Sequence, residues 1–82
     1  MTVLADGFEP AFVGLAVRFD WDRPVAVYDR EACIRVLVER DGMTHEDAVE
    51  FFNFNTLGSW VGEQTPIYVT VMPLAELEAA DD

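Results

Sequence analysis

Apolar and polar positions follow two different rhythms along the 82-residue chain. Ala11–Phe19 (AFVGLAVRF) is almost continuously apolar, with β-branched and aromatic side chains and Arg18 as its single charge. A short run of this make-up predicts a strand rather than a helix, and Gly14 inside it marks a bulge or a close backbone approach. Asp20-Trp21-Asp22-Arg23-Pro24 interrupts the run and predicts a turn. Val25–Tyr28 predicts a second, short extended stretch.

The period then changes to that of a helix. Asp29 is suited to the N-cap, and Cys33, Ile34, Val36, Leu37 and Val38 supply a wide apolar face. Glu31, Arg35 and Glu39 recur at i, i+4 and i+8, forming a polar stripe with a favourably oriented Glu31–Arg35 pair. Gly42 is placed to end the helix in the left-handed region. Thr44 caps a second helix with Asp47 three residues on, close to a capping box, and Met43 with Ala48 forms a weak staple. Ala48, Val49 and Phe52 share its inward face, Glu46, Glu50 and Asn53 its outward face, and Phe51 and Phe54 widen the apolar surface. This helix is expected to end at Asn55 or Gly58.

Gly58–Pro66 predicts a loop in which Gly58 and Gly62 supply positive φ and Thr65-Pro66 sets an extended exit. Ile67–Met72 predicts the last strand. The order strand, strand, helix, helix, strand implies an α+β fold, a small antiparallel or mixed sheet with two helices packed on one face. One domain is expected over residues 1–72. An acidic tail follows over 73–82, with a frayed helical turn or two; it is expected to be solvated and disordered, with a partner-binding role as the alternative.

Asp41–Asn55 (DGMTHEDAVEFFNFN) followed by Leu57–Tyr68 (LGSWVGEQTPIY) resembles a family of small uncharacterised proteins of bacteria, prophages and phages. The shared features are an acidic DGMT helix start, an aromatic-Asn helix end, and a Gly-aromatic-Val-Gly-Glu-x-Thr-Pro loop entering a strand. With Val27-Tyr28-Asp29 and the first helix, the resemblance covers about residues 25–69. It implies a phage or mobile-element setting, and carries no activity or cofactor with it.

Composition narrows the function classes. Leu, Ile, Val and Phe make up 25 of the residues, enough for a packed core. Sixteen acids stand against five arginines and no lysine, for a net charge of −11. A direct nucleic-acid binder needs a basic footprint, and an anionic membrane would repel this chain. A domain this small has modest stability, and its apolar excess makes a homo-oligomer a natural suspicion. A single cysteine forms no internal disulfide, and neither a signal peptide nor a membrane span is visible, so a soluble, cytoplasmic protein is expected.

Reactive side chains are few. Cys33, the only cysteine, belongs to the apolar helix face, and His45, the only histidine, to an exposed first turn. His45-Glu46-Asp47 point about 100° apart and do not converge on one ion, and Asp20-x-Asp22 lacks the glycine and distal glutamate of a calcium loop. The glycine loop has no lysine and places Glu63 where a phosphate would be repelled. No catalytic, cofactor-binding or metal-ligating residue is therefore expected.

The remaining candidates are partner-binding: Asp20, Trp21, Asp22, Glu46, Asp47, Glu50 and Trp60. Acidic side chains steer a chain toward a basic partner, and tryptophan is enriched at binding hot spots. Trp60 either plugs the core or anchors an interface; Trp21 carries the same ambiguity with more exposure expected. In a phage setting the basic partner is expected among nucleic-acid-handling complexes, which makes an acidic mimic of the anti-CRISPR type the sharper hypothesis. The alternative is a structural or assembly protein that acts as a homo-oligomer. The acidity then serves solubility or halophilic adaptation alone.

Overall fold

The computed structural model describes residues 2–80. They form a mixed three-stranded sheet and three α-helices, an α+β fold. A 3-10 turn (Glu9–Ala11) leads into β1 (Phe12–Ala16), followed by β2 (Val25–Asp29), α1 (Arg30–Asp41) and α2 (His45–Phe51). A π-helical segment (Phe52–Leu57), β3 (Ile67–Val69) and α3 (Leu74–Ala80) complete the order. The strand order is β1-β2-β3, antiparallel between β1 and β2 and parallel between β2 and β3.

β2 is the central strand, and Val25, Ala26, Val27 and Tyr28 are all buried, so it has no polar side of the kind a half-exposed strand shows. Ala26 and Tyr28 meet Cys33, Ile34 and Leu37 of α1, Ala48 of α2, and Phe52 at the start of the π segment. Phe8 and Ala11 close the cluster from the N-terminal side. Tyr28 organises this core: Phe12 meets its ring edge-on at 5.6 Å and Tyr68 lies 5.8 Å away. Its hydroxyl accepts the Ala5 N–H at 2.8 Å, which ties the N-terminal segment to the sheet. Arg40 makes a second tie by donating to the Gly7 carbonyl at 2.6 Å.

The helix boundaries follow the capping chemistry. The Asp29 carboxylate accepts from the N–H groups of Glu31 and Ala32 at 3.0 and 3.4 Å, and Gly42 ends α1 at φ 70°. Thr44 Oγ1 accepts the Asp47 N–H at 3.2 Å and opens α2.

Four expectations are corrected. β1 is shorter than Ala11–Phe19: Ala11 closes the 3-10 turn, and Phe19–Asp20 already turn back under the Arg18–Asp20 ion pair. Gly14 does sit at a register shift, between Phe12 and Gly14. β3 stops at Val69 rather than Met72, because Val69 pairs with Asp29, where β2 gives way to α1 and the ladder loses its partner. Glu31 pairs with its neighbour Arg30 at 3.1 Å instead of with Arg35. Gly58 has φ −76°, not a positive value; a side chain there would press on the Phe54 carbonyl oxygen at 3.1 Å, so its small size is what the fold uses. Gly62, at φ 104°, does use the left-handed region.

The second helix ends at Gly58, one of its two expected stops, but not as a regular α-helix. From Phe52 it widens into a π segment that runs to Leu57 before Gly58. Asn55 Nδ2 donates to the Phe51 carbonyl at 3.3 Å, competing for the oxygen that its own backbone N–H would take in a regular α-helix. In the tail, the expected helical turn or two is α3, a helix of seven residues exposed along its length. Asp81 and Asp82 of the acidic tail lie outside the described residues.

Candidate functional site

The seven residues singled out by the sequence fall into two separate groups. Asp20, Trp21, Asp22 and Trp60 line one cleft of about 620 Å³. Asp47 and Glu50 line a different hollow of about 460 Å³ on the outer side of α2, with Phe51, Phe54 and Asn55. Glu46 is exposed in the first turn of the same helix.

The cleft is built by two loops at one end of the sheet, with Val25, which opens β2, and Ile67, which opens β3, among its lining residues. On one side, the Arg18 guanidinium holds Asp20 through two contacts at 3.0 and 3.2 Å and lies 5.8 Å from the Trp21 ring centre. The Trp21 N–H donates to the Arg18 carbonyl at 3.0 Å and completes the turn. On the other side, Thr65 Oγ1 accepts the Val61 N–H at 3.0 Å and donates to the Gly62 carbonyl, closing the loop that presents Trp60. The order of exposure is the reverse of the expectation: Trp21 is half-buried, and Trp60 is 75% exposed. Trp60 does not plug the core. The core is filled instead by residues such as Phe52, whose ring meets that of Tyr68 edge-on at 5.1 Å.

Glu63 and Gln64 also line the cleft and were not singled out from the sequence. Gln64 Oε1 is buried without a hydrogen-bond partner, leaving an acceptor unsatisfied. Isolated polar residues in a loop carry no periodic signal, so only the folded loop reveals them.

The second hollow owes its shape to the π segment. Widening the helix after Phe51 keeps Phe52 in the core while Phe51, Phe54 and Leu57 turn outward. Phe54 is 77% exposed beside two carboxylates. π-helical turns of this kind are rare and concentrate at functional sites. The signal in the sequence was the pair of phenylalanines that exceeded a simple amphipathic stripe.

Cys33 is fully buried on α1. Burial, with the Asp29 carboxylate adding to it, pushes the thiol up to about 11. Tyr68 is pushed up to about 12, again chiefly by burial. Both groups are neutral when protonated, so the native state favours their protonated forms. The stability this confers is complete below their ordinary values and is lost as pH rises toward 11–12. Urea midpoints should therefore hold between neutrality and pH 8 and fall steeply above pH 9, and a thiol reagent at pH 8 should label Cys33 only at the rate of unfolding. A flat alkaline profile with fast labelling would place Cys33 at the surface.

Among the described residues, no group of three or more His, Cys, Asp or Glu side chains is placed to hold a metal ion, and no helix is long and apolar enough to cross a membrane. Compared with protein-family models, with curated proteins and with solved structures, the chain has no match in any of the three.

Proposed function

We propose that this protein is a small, non-enzymatic binding module that acts in the cytoplasm, in a phage or mobile-element setting, on a basic protein partner. The observation that carries this reading is the outer face of α2 and the π segment. There Asp47 and Glu50 flank the exposed rings of Phe51 and Phe54 around one hollow. Carboxylates of this kind steer a basic surface inward and raise the association rate. Desolvated aromatic rings then supply the short-range energy of a hot spot. The cleft holding Trp21 and Trp60 offers a second anchor of the same chemistry, with Asp22 and Glu63 on it.

The net charge of −11 is distributed without a single lysine to offset it, which suits a surface competing with nucleic acid for a basic groove. The sharper form of the proposal is therefore an inhibitor of a host nucleic-acid-handling or defence complex that works by acidic mimicry. The test is capture by the tagged protein from nuclease-treated host lysate, with elution in steps of increasing salt. A basic nucleic-acid-handling complex, released at moderate salt and displaced by added DNA or RNA, is the expected result. Retention of no basic protein at low salt would overturn the reading.

A further inference from the structure

We propose that β1 pairs antiparallel with β1 of a second copy, about a two-fold axis at Leu15, joining two three-stranded sheets into one of six strands. β1 is an edge strand, paired with β2 on one side only. An open edge exposes unpaired backbone N–H and C=O groups and templates the addition of another strand. Edges that must stay unpaired carry charges, prolines or bulges; Phe12–Val17 has no charge and no proline, and its one irregularity lies at its start. The irregularity between Phe12 and Gly14 shortens the regular ladder but leaves Leu15 and Ala16 in register with Ala26 and Val25.

The side chains along this edge are apolar and in water. Leu15 is 57% exposed, Val17 76% and Phe19 100%, with Phe12 and Val13 about half exposed. With full side-chain areas of ~150–200 Å², Phe12, Val13, Leu15 and Val17 leave roughly 400 Å² per copy uncovered, which with the strand's own backbone goes toward the ~800 Å² each partner gives to a standard interface. Apolar area of this extent on one strand is more than scattered single side chains give and marks an interaction site on a small protein.

The chemistry of the edge selects a second copy as its occupant. A two-fold axis at Leu15 sets Leu15 against itself, Val13 against Val17 and Gly14 against Ala16, so that apolar meets apolar. No carboxylate lies within Phe12–Val17, and Arg18, which falls opposite Phe12, is already paired with Asp20 and adds no uncompensated charge to the seam. Elsewhere the two chains repel, each carrying −11. Salt screens that repulsion and leaves the apolar contact intact, so the dimer tightens as ionic strength rises. A complex with a basic partner has the opposite salt dependence, and the two associations are separable by that sign.

Sedimentation equilibrium of the full chain at ~0.05 and ~0.5 M salt tests the proposal. The expected result is a mass of twice 9.2 kDa, with tighter association at the higher salt. Val17→Lys and Leu15→Lys, both at exposed positions, are expected to stay at 9.2 kDa with an unchanged circular dichroism spectrum. Leu15→Cys is expected to form a covalent dimer on mild oxidation, because residues at the axis of an antiparallel pair lie ~5 Å apart; the native Cys33 is buried and does not compete. A monomeric wild type at high salt, or dimers that persist in Val17→Lys, would overturn it.

Discussion

Phe52→Ala is expected to destabilise the domain by about 3–5 kcal/mol, from lost burial and the cavity left behind. Phe52 is fully buried, meets Tyr68 edge-on at 5.1 Å and lies 5.7 Å from the Arg30 guanidinium. It also stands where α2 passes into the π segment, so its loss loosens both. A chain of 82 residues has a total stability of roughly 4–12 kcal/mol at ~0.05–0.15 kcal/mol per residue. The variant therefore falls near the threshold of folding. Phe54→Ala, two residues on but 77% exposed, is expected to change stability by no more than about 0.5 kcal/mol. Urea titration of the two variants checks both values. Equal losses would contradict the outward turn of Phe54.

The second large effect is on binding. Glu46→Lys combined with Glu50→Lys is expected to weaken capture of the basic partner by ~10–100-fold at low salt, mainly through the association rate. The loss should shrink as salt is added, because the steering is screened. Lysine near the start of α2 opposes the helix dipole at a cost of up to about 1 kcal/mol, so the circular dichroism spectrum should persist. Glu31→Lys combined with Glu39→Lys makes the same change in charge on the exposed side of α1, remote in sequence from the Phe51–Phe54 hollow. A small effect there assigns the binding to α2. Equal effects in both pairs would reduce the steering to net charge, and unchanged affinity in the first pair would remove this face from the site.

Much of the fold was legible because its determinants are local. Asp29, Gly42 and Thr44 act on backbone groups within a few residues, and each occupies the capping position its chemistry suggests. The inward face of Ala48 and Phe52 followed from helical spacing alone. The misreadings have a different origin. The length of β3 depends on where β2 ends, which lies almost forty residues earlier in the chain. The exposure of Trp60 depends on how its loop meets Trp21, Val25 and Ile67 across one cleft, residues that are in part distant in the chain. The partner of Glu31 depends on rotamers, and spacing does not choose between Arg30 and Arg35.

By itself the sequence determined an α+β chain with two capped helices, a buried cysteine, a scarcity of reactive side chains and a strongly acidic surface. These follow from composition, periodicity and short-range hydrogen bonding, which act within one or two turns of chain. Only the tertiary structure decided that the sheet is mixed and that the seven acidic and aromatic candidates divide between a cleft and a helix face. It also decided that β1 lies at an open edge. Those are outcomes of which apolar surfaces cover one another: once β2 takes the centre and α1 and α2 close over Ala26 and Tyr28, Leu15, Val17 and Phe54 are left facing water.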